Sequence, residues 1–77
     1  MKIYQPANYS ITVEGQLTDN WSDRLGGMSI TKSSSGDGSV ITTLKGQVRD
    51  QAELFGVLNS LYELHLPLLA VNNWPID

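Results

Sequence analysis

Hydrophobic and polar residues alternate along much of the first part of the chain. Residues 9–17 are apolar on one side of the pattern and polar on the other, with an interruption at Gly15. The alternation resumes over 28–34 and 39–48, on either side of a segment rich in Ser and Gly. Period-two alternation predicts half-buried strands, and two such runs joined by a Gly-rich turn predict a hairpin. The apolar side of the three strands is expected to hold Tyr9, Ile11, Val13, Leu17, Met28, Ile30, Val40, Leu44 and Val48.

The period of the pattern changes after Arg49. Asp50 and Glu53 have the spacing of a capping box, in which two side chains satisfy amides at a helix N-terminus. Apolar residues then recur at helical spacing, which predicts an amphipathic helix from about 50 to 64, ended by Pro67. The buried face of this helix is expected to hold Leu54, Phe55, Leu58, Leu61 and Tyr62.

A short apolar strand follows the helix, over Leu68 to Asn72. It is apolar on both faces, which predicts burial by protein on both sides, or by protein on one side and a partner on the other. The order of elements predicts an α+β fold: a four-stranded mixed sheet with one amphipathic helix on one face. We expect the first three strands to form an antiparallel meander and the last to run parallel to the third through a right-handed crossover. Whether the fourth strand lies beside the first or the third stays open.

The length of the chain, 77 residues, predicts a single α+β domain. We expect residues 1–8 to form an N-terminal arm, because proline and asparagine break the pattern there, and residues 73–77 to form a C-terminal tail. The connection 18–27 is expected to contain a short helical turn. The apolar residues of that turn are Trp21 and Leu25.

Composition limits how so small a domain can be stabilised. The chain has no Cys and one His, so disulfides are excluded and a structural zinc site is disfavoured. A second subunit remains as the stabilising device to expect at this size. We see no signal-peptide pattern and no apolar run near the ~20 residues that span a bilayer. We therefore expect a cytoplasmic protein, which the absence of Cys also fits.

The charge balance disfavours two classes of partner. Eight acidic and five basic residues give a net charge of −3, and the basic residues are scattered along the chain. Neutralising several phosphates requires a concentrated basic face. We therefore expect neither nucleic-acid binding nor attachment to an anionic membrane surface.

The titratable residues of the helix lack the spacing of a catalytic or metal site. His65 stands just past the helix, near the left-handed position that favours Gly; the alternative is a proton shuttle or metal ligand. Asp50 and Glu53 are expected to cap the helix and complement its dipole rather than to form an acid–base pair. No nucleophile or orienting carboxylate stands at motif spacing. We therefore expect no enzyme activity, no catalytic residue, no cofactor and no metal.

Two connections raise further hypotheses. Asp19 and Asp23, with Glu14 nearby, are of the type that binds hard cations, but they lack the Asp-x-Asp-x-Asp-Gly pattern of a calcium loop. Residues 33–38 are of the type that holds a phosphate, but they lead into a strand rather than a helix N-terminus. A solvated connection and a hairpin turn are therefore expected.

The apolar final strand is the main indication of an interaction surface. The helix can cover one face of the sheet, so the other apolar side of this strand needs the N-terminal arm, the tail or a second copy of the chain. Trp74 lies close by in the tail, and Trp is enriched at interaction hot spots. The sheet face opposite the helix is a mixed polar and apolar surface. The candidate interface residues are Leu69, Val71, Trp74, Ile41 and Thr43.

These features predict a non-enzymatic protein–protein interaction or regulatory module, acting as a homodimer or on another protein. The alternative is a small-molecule sensor that binds a ligand between helix and sheet. A sensor would require a pocket with a few convergent polar groups, whereas the predicted core is built from plain apolar residues.

Several short motifs together resemble those of a known group. Gly15-x-Leu17, Trp21 and Thr42-x-Leu44-x-Gly46 are followed by Val48-x-Asp50-Gln51-Ala52 and by Leu66-Pro67-Leu68-Leu69-x-Val71. This pattern resembles a widespread group of short bacterial proteins of unassigned function, over about residues 10–72. The resemblance implies family membership and carries no activity, cofactor or catalytic residue. That group usually has Gly where His65 stands.

Overall fold

The structure, a computed structural model, describes residues 6–17 and 27–75. Within these ranges the chain forms four strands and one helix, in the order strand, strand, strand, helix, strand, as predicted. The elements are β1 (Ala7–Glu14), β2 (Ser29–Ser34), β3 (Val40–Val48), α1 (Gln51–Glu63) and β4 (Leu68–Pro75). The α+β class is therefore confirmed. The predicted helical turn with Trp21 and Leu25 lies outside the described residues.

The sheet is antiparallel throughout, so the prediction of a mixed sheet is wrong. The strand order is β2-β3-β1-β4, and every neighbouring pair is antiparallel. The predicted meander is also wrong, because β1 pairs with β3 and β4 and not with β2. The third and fourth strands do run in the same direction, but β1 lies between them. The hairpin of β2 and β3 is confirmed.

The ends of the chain enter the sheet further than the sequence pattern predicts. The expected arm 1–8 and tail 73–77 are too long, because β1 begins at Ala7 and β4 extends to Pro75. The Cα of Ala7 pairs with Val48 on one side and with Pro75 on the other. The physical reason is the central position of β1, which is paired on both sides from Ala7 to Val13. Proline is tolerated at Pro75 because β4 is an edge strand.

The core lies between the sheet and the helix. On β1 the predicted alternation is confirmed, because Tyr9, Ile11 and Val13 are buried while the residues between them are only half-buried. Among the residues that the structure describes, Thr42 is the one buried polar residue; its hydroxyl donates a 2.6 Å hydrogen bond to the Gly15 carbonyl. The other buried apolar side chains are Ala7, Leu17, Met28, Leu44, Val48, Leu54, Val57 and Leu61.

The helix buries a different face from the predicted one. Leu54 and Leu61 are buried as expected, but the third buried residue is Val57. Phe55 and Tyr62, predicted to be inside, are 62% and 77% exposed. The apolar residues of the helix form two adjacent stripes, each with a spacing of three and then four residues, and packing on the sheet selects the stripe that contains Val57. The side chains of the second stripe are Phe55, Leu58 and Tyr62.

The predicted helix cap is confirmed, with one change of partner. Asp50 has extended backbone angles, and its Oδ1 accepts a 2.9 Å hydrogen bond from the Glu53 amide. In the standard capping box, the Glu side chain accepts a hydrogen bond from the amide of the N-cap residue. Here Glu53 Oε1 accepts instead from the amide one residue earlier, that of Arg49, at 3.1 Å. Its Oε2 also lies 2.9 Å from Arg49 Nε, in an ion pair on the surface.

Leu61→Ala should lower the free energy of unfolding by about 2–5 kcal/mol, because it leaves a cavity in the core. Leu58→Ala should cost less, because Leu58 belongs to the second stripe and is only half-buried. Urea denaturation of both variants against wild type measures the two losses. Equal losses would mean that the helix packs on the sheet through both stripes rather than through the stripe that contains Val57.

Asp50→Ala should lower the free energy of unfolding by about 0.5–2 kcal/mol, because the Glu53 amide loses its acceptor. Asp50→Ser is the matched control, since serine also caps helices well. Thermal melts that show the same loss for both variants would contradict the capping role.

Candidate functional site

β4 is an edge strand without charge protection. It lies at one end of the sheet, and its sequence from Leu68 to Pro75 contains no charged residue. Leu68, Leu69 and Val71 are 53%, 50% and 38% exposed. Charged side chains are one of the devices by which natural edge strands discourage pairing with another chain. An apolar exposed edge is therefore a feature that requires an explanation.

The pairing of β4 with β1 determines which face these side chains occupy. Val71 pairs with Ile11, which is fully buried, so Val71 lies on the helix side of the sheet. The register shifts between Thr12 and Val13, where Val13 pairs with Leu68 and Leu69 is the additional residue. A bulge of this kind sets two residues opposite one, so Leu68 and Leu69 both stand opposite Val13.

The second stripe of the helix faces the same edge. A cavity of about 270 Å³ separates the helix from the start of β4, and its lining is apolar. The residues that line it are Leu58, Leu61, Tyr62, Leu66, Pro67 and Leu68. Phe55 stands three residues before Leu58, on the same stripe. We call the exposed part of this region the apolar edge surface. It is formed by Phe55, Leu58, Tyr62, Leu68, Leu69 and Val71.

The turn after the helix brings β4 to this position. His65 has a φ of 60°, and its amide donates to the Tyr62 carbonyl at 2.9 Å. The Leu66 amide donates to the Leu61 carbonyl at 3.2 Å, which completes a Schellman motif. The prediction that His65 occupies the left-handed position after the helix is therefore confirmed.

Close packing against Gly15 then fixes the path of the chain into β4. A Cβ on Gly15 would lie 2.7 Å from Leu66 Cδ2, so a larger residue here would force this leucine side chain to shift. Gly15 also has a φ of 119°, which side chains rarely adopt. The Glu14 amide donates to the Pro67 carbonyl at 2.9 Å and extends the contact of the first strand to the residue before β4.

The opposite edge of the sheet differs in character. β2 is rich in serine and contains Lys32, which is exposed. Lys32 pairs with the buried Thr42, so the lysine stands on the helix side of the sheet. A lysine at an edge is one of the devices that oppose strand pairing. The two edges of this sheet are therefore not equivalent.

The predicted interface residues do not lie together. Leu69 and Val71 belong to the apolar edge surface. Ile41 and Thr43 pair with Glu14 and Thr12, on the other face of the sheet. The hydroxyl oxygens of Thr12 and Thr43 are 3.5 Å apart there.

Trp74 is the remaining predicted interface residue, and it lies in β4 rather than in a tail, with its Cα opposite that of Asn8. Phe55 and Tyr62 were missed as surface residues. The sequence signal for them was a helical face too wide for burial, with two apolar stripes instead of one.

The other candidate residues have structural roles or lie apart. Asp37 is in the turn between β2 and β3, where it accepts hydrogen bonds from the Ser35 hydroxyl and the Ser39 amide. These bonds lower the pKa of Asp37 to about 2. Glu14 is exposed, while Asp19 and Asp23 lie outside the described residues. Over residues 6–17 and 27–75, no three His, Cys, Asp or Glu residues are grouped as a metal would require.

The fold and this surface define a class: a small antiparallel α+β domain with one helix and one apolar, uncharged edge strand. The chain belongs to the family described as "Domain of unknown function (DUF8691)", whose model matches residues 8–72. No curated protein and no solved structure matches this chain. In the described part of the chain, no helix has the length and apolar character needed to cross a membrane.

His65→Gly should leave stability unchanged or raise it by about 1 kcal/mol, because glycine adopts the left-handed conformation without the penalty of a Cβ. His65→Ala is the control and should give no such gain. Chemical denaturation measures both. A clear loss of stability on His65→Gly would show that the imidazole makes a contact of its own.

Proposed function

We propose that this protein is a non-enzymatic interaction module of the bacterial cytoplasm, which binds another protein chain along the apolar edge surface. One observation carries the proposal. Among the described residues, the large hydrophobic side chains that are exposed all belong to this surface. They are Phe55, Tyr62, Leu68, Leu69 and Val71. Scattered exposed hydrophobic residues are normal, but their concentration in one patch marks an interaction site.

The backbone of β4 supplies a second source of affinity. In an antiparallel edge strand, every second residue directs its amide and carbonyl away from the sheet. A strand from a partner can pair with these groups, which is the recognition mode called β-augmentation. The partner's side chains would then cover Leu69 and Val71, whose exposure is 50% and 38% in the single chain. Main-chain hydrogen bonds and apolar burial thus act along the same edge.

The cavity beside β4 favours a second candidate, a small-molecule sensor. Its volume of about 270 Å³ lies just under the roughly 300–1,000 Å³ of most ligand pockets. Specific pockets combine apolar walls with a few convergent polar groups. Here the lining side chains are apolar except for the hydroxyl of Tyr62. Such a cavity suits an inserted apolar side chain better than a polar metabolite, which supports the interaction module over the sensor.

Affinity capture from the native host, followed by mass spectrometry, tests the proposal. Wild type, Leu69→Lys and Ser33→Lys serve as three baits. Leu69→Lys places a charge on the apolar edge, whereas Ser33→Lys places one at an exposed position of β2. We expect a set of proteins that wild type and Ser33→Lys retain and that Leu69→Lys loses. Both substituted residues are exposed, so the fold should tolerate the changes, and circular dichroism checks this.

Identical captured proteins for all three baits would contradict binding through this edge. A thermal-shift screen over metabolites separates the second candidate. A small molecule that stabilises wild type but not a Tyr62→Glu variant would favour the sensor.

A further inference from the structure

We propose that the occupant of the apolar edge surface is a second copy of this chain, paired β4 to β4 in antiparallel fashion around a two-fold axis at Ala70. This inference rests on the proposed function and names the partner of the same surface. The pairing would extend the four strands of each copy into one continuous sheet of eight. Because the axis is perpendicular to the sheet, both helices would lie on the same face.

The register at Ala70 follows from the side chains. An antiparallel pairing centred there sets Leu69 opposite Val71 of the other copy, and Val71 opposite Leu69. These residues face the helix side, where both are exposed in the single chain. Ala70 itself pairs with Thr12, so it lies on the other face, and its small side chain meets its own copy at the axis. Cross-strand apolar pairs of this kind stabilise sheets.

The helices explain why a second copy fits better than an extended peptide. A single added strand would cover the edge but would leave Phe55 and Tyr62 of the helix exposed. A second copy brings its own second stripe to the same face of the sheet. The two stripes then approach each other above Leu69 and Val71. Each apolar edge surface thus faces an identical surface, which is the property of a two-fold interface.

The other edge of the sheet explains why the assembly would stop at two. Pairing of β4 with β2 of a neighbour would be head-to-tail and would produce an open filament. Lys32 stands on the helix side of β2 and opposes that contact, because an apolar strand would have to pack against its charge. β4 carries no charge of either sign, so two copies of it meet without repulsion. The asymmetry of the edges therefore selects a closed dimer.

A single introduced cysteine tests this arrangement, because the chain contains none. The variant Ala70→Cys places the new thiol next to its own copy at the two-fold axis. Paired residues on neighbouring strands have Cβ atoms about 4.5–5.5 Å apart, close to the distance that a disulfide requires. Under mild oxidation we expect a covalent dimer of twice the 8.5 kDa chain mass within minutes. Thr31→Cys, at the exposed opposite edge, is the matched control and should remain largely monomeric.

Light scattering on the uncrosslinked protein gives the second measurement. Wild type at micromolar concentration should have twice the chain mass, and Leu69→Lys should have the mass of a single chain. Val71→Lys provides a second variant. Circular dichroism that matches wild type shows that each monomer remains folded.

Three results would overturn the inference. The first is a wild type of 8.5 kDa at all concentrations tested. The second is crosslinking of Ala70→Cys no faster than that of Thr31→Cys. The third is a dimer that survives both lysine variants, since the interface would then lie elsewhere. A monomeric wild type that still captures host proteins through Leu69 would remove the dimer and leave the proposed function standing.

Discussion

Over residues 6–17 and 27–75, one helix of 13 residues covers a sheet of four strands. A helix with its side chains is about 10 Å wide, whereas four strands spaced about 4.8 Å apart extend over about 15 Å between the outer strands alone. One helix therefore cannot shield a whole face of this sheet. It packs over the middle, where Ile11 and Leu44 are fully buried. Both edges remain uncovered by the helix, and their composition decides how each behaves in water.

The two edge strands, β2 and β4, expose different kinds of side chain. The exposed side chains of β2 are serines, a threonine and Lys32, so their contact with water costs little free energy. β4 places leucines and valine in the same situation, and a bulge opposite Val13 adds one more leucine to the exposed set. The second stripe of the helix, with Phe55 and Tyr62, borders this edge. The uncovered part of the sheet and the unburied part of the helix thus form one surface.

The sequence predicted the elements well because their signals are local. Alternation identified the strands, and the spacing of Asp50 and Glu53 placed the start of the helix, where the hydrogen bond to the Glu53 amide confirms it. Strand order was not predictable, because the pairing of Ile11 with both Leu44 and Val71 joins residues far apart in the chain. The buried helix face was misjudged because hydrophobicity does not distinguish two apolar stripes. Composition alone led us to expect that β4 needs a cover on the face away from the helix, whereas Val71 is exposed on the helix side of the sheet.

The central position of β1 also affects how this protein can fold. The hairpin of β2 and β3 joins neighbours in sequence and can form early, as can the helix. β1 is fully paired only when β3 has docked on one side and β4, the last element in the chain, on the other. Contacts between the first and last strands are distant in sequence, and such contacts slow folding because a long loop must close first. We therefore expect the docking of β4 to limit the rate of folding, and until that step one side of β1 is an open edge.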